Sequence, residues 1–410
     1  MNIQKILISK LNPAKYNPRK DLKPGDAEYE KLKRSILEFG FVEPVIWNKA
    51  TGNIVGGHQR YKVLKGLGYN DIECVVLDID DQKEKALNIA LNKVSGDWDK
   101  PLLADLLKEL DTVGFDVSLT GFDIAELNEL FGEPDTKDDD FDTDTALEEI
   151  KIPITKTGDI WQLGKHRLIC GDSTMPETYE KLMEGQKANL VATDPPFGVS
   201  YSGGQGTIKN DNLKDDDFLL FLQKAFTNMH SHMSKDASIY VFHADTKGLI
   251  FRQAFQDAGF YLSGVCIWEK QSLVLGRSPY QWQHEPCLFG WRKDGKHQWY
   301  GDRKQTTIWK YDRPAKSPLH STMKPIALMA YPIMNSTMTN GIVLEPFSGS
   351  ASTLIACEQT DRICYAIELE ERFVDVGVKR YIEFKGGSDD VFLLRDGKKI
   401  KYSDIEKDAE

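Results

Sequence analysis

No stretch of this 410-residue sequence approaches the run of ~20 apolar residues that a membrane-crossing helix needs. The opening, Met1 to Leu11, alternates polar and apolar residues. It reads as a strand and not as a signal peptide, which needs a longer apolar region, so the cytoplasm is the expected location. Cysteine is scarce and scattered, at 74, 170, 266, 287, 357 and 364. No CxxC pair occurs, and no histidine lies at metal-ligand spacing, so neither a disulfide framework nor a structural zinc is expected. The cysteines read as reduced core residues. No internal repeat is present, which argues against a solenoid. A basic excess is also missing, since the formal net charge is -11. That charge is concentrated, however. Residues 133–149 (EPDTKDDDFDTDTALEE) carry nine acids and one lysine, or -8, which leaves -3 for the rest. Such a block reads as a solvated linker. Nucleic acid is thus not excluded as a partner, provided that a local basic patch exists.

The length exceeds one ordinary core and implies two or three domains. Residues 1–97 alternate short strands and helices. Ile3–Ile8, Pro44–Trp47 and Ile72–Leu77 read as strands. Tyr29–Phe39 has helical spacing, with Leu32, Ile36 and Phe39 on one face. After Ile54-Val55 and the run Gly56-Gly57-His58-Gln59-Arg60, a helix passes through Tyr61, Leu64 and Leu67. Residues 98–132 read as a helical connector, in pieces such as Pro101–Leu110 and Ile124–Phe131, and 133–150 as the acidic linker. From 151 to 385 strands alternate with helices, the pattern of an α/β domain with a mostly parallel sheet. The tail, 386–410, is polar and reads as peripheral.

Within the α/β region, Asn189–Thr193 (NLVAT) is apolar enough for a buried strand and ends in Asp194-Pro195-Pro196-Phe197. Ligands of open α/β sheets bind beyond the C-terminal ends of strands. Two prolines remove two N–H donors and fix the backbone. An exocyclic base amine is a poor nucleophile because its lone pair is conjugated into the ring. Two acceptors that take both amine protons favour a pyramidal nitrogen. Asp194 offers a carboxylate, Pro195 a carbonyl, and Phe197 a ring for stacking. The base must leave the duplex to arrive there. The plainer reading of the tetrapeptide is a helix-start turn.

A second strand, Ile342–Leu344, is followed by Glu345-Pro346-Phe347-Ser348-Gly349-Ser350-Ala351-Ser352. A helix then runs through Leu354, Ile355 and Cys357, and the strand Ile363–Ile367 ends in Glu368. Such β-turn-α-β units bind nucleosides: the turn admits the ligand to the backbone, and the acid accepts from ribose hydroxyls. An empty Rossmann-like unit is the alternative. Between the two motifs lies His320-Ser321-Thr322-Met323-Lys324-Pro325. Its lysine is either a surface residue or a partner for a small carboxylate. Upstream, the strand Arg167–Cys170 leads to Gly171-Asp172-Ser173, where Asp172 is a helix cap or a contact to a cofactor adenine. Residues 291–316 hold eight Lys/Arg and three Asp with five Trp and Tyr interleaved. That composition suits phosphate contact and base stacking, or else a basic solvated hairpin.

In this order the segments resemble the amino-methyltransferases of DNA, in the permuted group whose catalytic motif precedes the cofactor motif. The resemblance covers roughly Ile152 to Phe384. It implies a Rossmann-like methyltransferase fold, S-adenosylmethionine as cofactor and double-stranded DNA as partner. It places Asp194, Pro195, Pro196 and Phe197 in the catalytic tetrapeptide. Asp172, Lys324, Glu345, Phe347, Gly349, Ser350 and Glu368 fall at the cofactor, with Lys324 facing the methionine carboxylate. Segment 269–285 resembles the loop that holds the flipped base. With the basic stretch that follows, it offers Lys270, Arg277, Tyr280, His284, Arg292, Lys293, Arg303 and Lys304 as DNA contacts. The family loop usually reads Asp-Pro-Phe-x-Gly-Ser-Gly-Thr. Here Glu345 replaces the Asp, and Ala351-Ser352 replaces Gly-Thr, which adds a methyl where close approach or positive φ is needed. A leading Asp with a final Phe favours N6 of adenine, whereas a leading Ser is more usual for N4 of cytosine.

Residues 1–97 resemble the ParB N-terminal domain, a small α+β fold shared with sulfiredoxin. The matching pieces are Leu11-Asn12-Pro13 through Asn17-Pro18-Arg19, Ser35–Gly40, Glu43-Pro44-Val45 and Gly56–Arg60. In ParB proteins the last run is Gly-Glu-Arg-Arg and contributes to nucleotide binding. Gly56, Gly57, His58 and Arg60 are therefore the candidate nucleotide residues here. His58 reads equally as a packed polar side chain, and DNA positioning or homodimerisation are the plainer roles of the domain. The fusion associates the chain with phage or mobile-element modification enzymes and with restriction-modification. Two rivals remain: a ParB-like nucleotide- and DNA-binding protein with a degenerate methyltransferase half, and an RNA methyltransferase.

Overall fold

The computed structural model describes residues 2–93, 98–112, 117–120, 122, 126, 136–199, 202–203, 206–207, 209–275, 279–313 and 323–409. They form two compact units, 1–133 and 134–410.

The first unit is built on a mixed five-stranded sheet. Its strands are β1 (Ile3–Leu7), β2 (Asn12–Pro13), β3 (Val45–Asn48), β4 (Asn53–Gly56) and β5 (Asp71–Leu77), in the order β1-β5-β3-β4-β2. Helices Ala27–Phe39 and His58–Gly66 close a core of Ile36, Val45, Ile54, Tyr61, Leu64 and Ile72. Leu32 and Ile36 face that core as their spacing predicts, but Phe39 is exposed, because the helix ends at Gly40 before its ring reaches the sheet. Glu84 is fully buried and accepts from Tyr16, Asn48, Thr51 and Asn53. Burial would raise its pKa, but these hydrogen bonds outweigh it and hold the carboxylate below its ordinary range.

The second unit is an eleven-stranded sheet with helices on both faces. Its strands are β6 (Ile160–Leu163), β7 (His166–Cys170), β8 (Ala188–Thr193), β11 (Met233–Phe242), β12 (Phe260–Val274), β13 (Trp282–Arg292), β14 (Ile308–Lys310), β15 (Ile342–Glu345), β16 (Ile363–Glu368), β17 (Val391–Arg395) and β18 (Lys398–Lys401). A separate two-stranded ribbon pairs β9 (Ser202–Gly203) with β10 (Gly206–Thr207). The order is β14-β12-β13-β11-β8-β15-β16-β7-β6-β17-β18, and β11-β8-β15-β16-β7 are mutually parallel. These central strands are buried on both faces, which is why they read as continuous apolar runs. Helices Ile326–Ser336, Ser352–Gln359 and Glu371–Lys385 cover one face, and Pro176–Met183, Asp215–His232 and Gly248–Asp257 the other. After β8 the chain turns outward to β11, whereas from β15 it runs the opposite way to β16. The C-terminal ends of β8 and β15 therefore bracket the switch point of a doubly wound sheet, where ligands bind.

Two expectations are corrected. The polar tail is not peripheral, since β17 and β18 extend the sheet and bury Val391 and Leu393. Nor is the described part of the acidic segment a solvated linker. Asp142 caps a helix at Thr143–Glu149, whose Ala146 and Leu147 pack on Val376. Asp138 accepts from the Ile326 amide at 2.6 Å, and Asp139 pairs with Arg380. Its acids are spent on helix ends and a buried guanidinium, partners that composition cannot reveal. Ile124–Phe131, expected helical, lies outside the described residues apart from Glu126. All six cysteines are free and buried. No helix among the described residues is long and apolar enough to cross a membrane.

Candidate active site

Asp194 leaves the end of β8 at the switch point, flanked by buried Thr193 and Pro195. Its Oδ2 accepts from Lys324 Nζ at 2.6 Å. Its Oδ1 is buried and has no hydrogen-bond partner. Burial raises the Asp194 pKa, Lys324 opposes the rise and Glu285 adds to it, for a net upward shift. Phe197 is half-buried, with the Lys324 ammonium 5.2 Å from its ring centroid. The next residue, Gly198, has φ +69°, and a Cβ there would meet the Phe218 ring at 2.8 Å. A glycine is thus required for the chain to turn away from the tetrapeptide.

Lys324 was expected to face the carboxylate of a cofactor. The structure engages it elsewhere: besides Asp194 it pairs with Glu285 at 3.0 Å, and its side chain is 5% exposed. Burial would lower its pKa, but the two carboxylates outweigh that and hold it above the ordinary lysine range. Lys270, expected to contact DNA, is also 5% exposed and ion-paired to Glu285. Glu285 was overlooked by sequence reasoning because it is one acid in a segment read for its bases.

The second motif divides into a bracket and a rim. Glu345, expected at the cofactor, belongs to the bracket. It is 2% exposed, and its oxygens accept from Thr193 Oγ1 at 2.5 Å, the Phe347 amide at 3.0 Å and Thr353 Oγ1 at 2.9 Å. It ties the ends of β8 and β15 together, and burial raises its pKa to about 8. The rim consists of Phe347, Ser348, Gly349 and Ser350. Gly349 has φ +52° and open space where a Cβ would stand, and the buried Ser348 Oγ has no partner. Glu368, at the end of β16, accepts from the Gly349 and Glu370 amides at 2.8 Å each, and burial raises its pKa to about 7. Asp172, beyond β7, is half-buried and accepts from Thr174 through Oδ1. An open backbone turn, an unpaired hydroxyl and two acids on adjacent strand ends suit a nucleoside. Ala351 does have the positive φ its position requires, +66°. Its buried methyl points at Gly377 and not into the turn.

The other DNA candidates separate in space. Tyr280 is exposed, and His284 is partly so, near the tip between β12 and β13. Arg277 lies outside the described residues, as do His320, Ser321 and Thr322. Because β13 runs antiparallel to β11, it begins beyond the catalytic edge and has crossed the sheet by Arg292. Arg292 there pairs with Asp294 and donates to the His230 and Met233 carbonyls, and Lys293 donates to the Gln256 carbonyl. Arg303 and Lys304 are exposed but precede β14, whose Lys310 end is the one at the catalytic edge. These four do not share a face with Tyr280.

In the first unit, Gly57 adopts φ +87° and opens the helix at His58, with buried Gly56 before it. His58 is the packed side chain of its plainer reading. It is buried, accepts from the Ala14 amide at 3.3 Å, and is pushed by burial and by Arg19 to about 4. Arg60 pairs with Glu43.

Together, the doubly wound sheet and the acid-lined strand ends define a Rossmann-like fold with a strand-end site suited to a nucleoside. Three family models then match in sequence: a ParB N-terminal domain over residues 1–93, a ParB-methyltransferase HTH domain over 101–157, and a DNA methylase of the N6/N4 type over 188–379. Residues 188–379 thus form a domain of the N6/N4 DNA methylase type, and residues 1–93 a ParB-type N-terminal domain. S-adenosylmethionine is the cofactor of this family. The HTH domain was missed, because its span overlaps segments read as a connector and a linker. The chain is similar to the protein named "Putative methylase YubD" of Escherichia coli strain K12, at 29% identity over 216 residues, 51% of this chain and 91% of that one. It is similar to the type II methyltransferase M.HpaI of Haemophilus parainfluenzae, at 23% identity over 54% of this chain and 76% of that one. Among solved structures it resembles an M1.HpyAVI-SAM complex, with 22% identity, a TM-score of 0.41, and coverage of 52% and 98%.

Proposed function

We propose that the chain transfers a methyl group from S-adenosylmethionine to N6 of adenine in double-stranded DNA. The observation that carries this reading is the Asp194 carboxylate, with one oxygen bound to Lys324 and the other buried and unpaired. Bound S-adenosylmethionine supplies an electrophilic methyl on a sulfonium. Asp194 Oδ1 accepts one proton of the amine and the Pro195 carbonyl the other, which localises the nitrogen lone pair. Phe197 stacks the extruded base, and the ring positions the nitrogen for in-line attack. The N–CH3 bond forms as the S–CH3 bond breaks, and the surplus amine proton passes to the Asp194 carboxylate. Glu368 and the Ser348–Ser350 turn hold the nucleoside of the cofactor. Tyr280 and His284 lie on the side from which DNA approaches.

The test is incubation with unmethylated DNA and S-adenosylmethionine, followed by nucleoside mass spectrometry, with Asp194→Ala alongside. N6-methyladenine that is absent from the variant reaction supports the reading. N4-methylcytosine would keep the enzyme class and change the base.

In the N-terminal unit, the reading of a phosphate-bearing ligand now rests on Arg60 and the Gly56-Gly57 turn. Burial, and then the nearby Arg19, hold the Arg60 pKa below its ordinary value, and the guanidinium pairs with Glu43, a carboxylate that an anionic ligand would displace. Calorimetric titration with nucleoside triphosphates, comparing Arg60→Gln, decides it.

A further inference from the structure

Four charged side chains from four separate segments meet beside the catalytic tetrapeptide. They alternate in sign: Asp194, Lys324, Glu285, Lys270. All are largely withdrawn from water, with side-chain exposures of 22, 5, 15 and 5%. Aromatic rings wall the chain in. Lys324 Nζ lies 5.2 Å from the Phe197 and Phe242 centroids and 5.9 Å from Trp268, and Lys270 Nζ lies 4.9 Å from Trp268. Burying four charges is expensive, and apolar residues of similar volume would stabilise a fold as well or better. The row ends on Asp194 Oδ1, a buried carboxylate oxygen with no hydrogen-bond partner.

We propose that Glu285 and Lys270 are positioning residues for methyl transfer: through Lys324 they fix one oxygen of Asp194 and leave the other aimed at the target amine. The inference rests on Asp194 being the amine acceptor. Lys324 alone could pivot among acceptors, because an ammonium is a point charge on a flexible stem. Glu285 holds it from the second side, at 3.0 Å against 2.6 Å for Asp194. Lys270 neutralises the charge that Glu285 brings. Glu285 and Lys270 stand towards the tip of the β12–β13 hairpin, beside the register shift between Glu269 and Val274. Such irregularities re-aim side chains beside active sites. The groups that face Asp194 are thus Lys324, Glu285 and Lys270, with Cys287 and Glu345 further off. Burial raises the pKa of both Cys287 and Glu345, so both are uncharged on the acid side of neutrality.

The two outer residues act on Asp194 in opposite senses, which gives the inference a signature that plain destabilisation lacks. Removing Glu285 removes a negative charge and leaves Lys324 to Asp194 alone, so Asp194 protonates at lower pH. Removing Lys270 removes a positive charge and leaves Glu285 to draw on Lys324, so Asp194 protonates at higher pH.

The experiment is single-turnover methylation of unmethylated duplex DNA by the full chain, from acid to alkaline pH, for wild type, Glu285→Gln, Lys270→Met and the double variant. S-adenosylmethionine binding is measured in parallel by equilibrium dialysis. Each single variant is expected to lose on the order of 10²-fold in plateau rate through misplacement of the acceptor, with cofactor binding unchanged. The acid limb moves down in pH for Glu285→Gln, up for Lys270→Met, and back towards wild type in the double variant. Acid limbs that stay at the wild-type position, or a loss seen only in cofactor binding, would overturn the proposal. If one single variant does not fold, the direction of shift in the other decides. A wild-type chain that transfers no methyl group overturns the methyl-transfer reading and this one with it, whereas wild-type transfer with unmoved limbs overturns this one alone.

Discussion

Asp139 and Arg380 meet side-on, with N–H···O distances of 2.7 and 2.8 Å, on a guanidinium that is 1% exposed. The same guanidinium donates to the Ser350 carbonyl at 2.8 Å and to Ser352 Oγ at 3.2 Å. An acid from the 133–149 block therefore braces the turn proposed to receive the cofactor. Asp139→Ala would leave Arg380 buried and unpaired, at a cost of about 3–5 kcal/mol. The expected outcome is a lower melting temperature and weaker S-adenosylmethionine binding. Adding Arg380→Met to Asp139→Ala should recover part of the stability, since no unpaired charge remains. Strictly additive losses in a double-mutant cycle would show that the pair does not act as a unit.

A second expectation concerns Ala351. Its left-handed conformation costs an alanine roughly 1–2 kcal/mol relative to glycine. Its methyl would stand 3.2 Å from a Cβ built on Gly377, and a Leu168 methyl would stand equally close. Gly377→Ala should therefore destabilise by about 1–3 kcal/mol through overpacking. Ala351→Gly in the same chain should relieve half of that crowding and the strain at 351. Chemical denaturation of the single and double variants measures the coupling, and an Ala351→Gly that fails to rescue Gly377→Ala would refute it.

Sequence periodicity reveals strands and helices where one face is apolar, and it located four of the five parallel strands, β7, β8, β15 and β16, but did not single out β11. The ends of the strands were legible for the same reason: Asp194, Glu345 and Glu368 each close an apolar run. What each acid does there was less legible, because it depends on partners far off in the chain. Glu345 is 152 residues from Thr193, and only the sheet order brings them together. Lys324 read as one cation before a proline. Its two carboxylates lie on separate strands, so spacing gave no sign of them. Basic composition over 291–316 suggested a single DNA face, but an antiparallel strand carries successive residues from one end of a sheet to the other. Arg292 and Tyr280 are thereby separated despite their closeness in sequence.

If Phe197 stacks an extruded base, its loss should appear in substrate capture before it appears in folding. The ring is half-buried at the rim and not in the core. Phe197→Ala should weaken productive DNA binding by about 1–3 kcal/mol. Phe197→Tyr or Phe197→Trp, which keep a ring, should restore most of it. Fluorescence of 2-aminopurine at the target position reports extrusion directly. A Phe197→Ala variant that still gives the full wild-type fluorescence increase would remove the ring from base capture.

Glu345 and Glu368 make folding stability depend on pH in a direction opposite to that of ordinary salt-bridged carboxylates. Burial raises Glu345 to about 8 and Glu368 to about 7, well above the ~4.3 of a free glutamate. Between those values the folded chain holds protons that the unfolded chain has released. Stability therefore falls as pH rises through the folded values. Burial also pushes His58 and His243 down to about 4. A lowered histidine acts the other way, with stability rising until the ~6.5 of the free group is passed. The acids are thus unopposed by these histidines only above that point, between pH ~6.5 and 8. There each proton retained contributes a slope of up to about 1.4 kcal/mol per pH unit. Glu345→Gln should flatten the upper part of this decline and Glu368→Gln the lower part. Since a ribose hydroxyl is best accepted by the ionised carboxylate, S-adenosylmethionine affinity should rise over the same window in wild type and stay level in Glu368→Gln. Denaturant unfolding and cofactor titration at matched pH values measure both. A Glu345→Gln chain that loses stability from pH 6.5 to 8 as steeply as wild type would show that Glu345 is not the source of the slope.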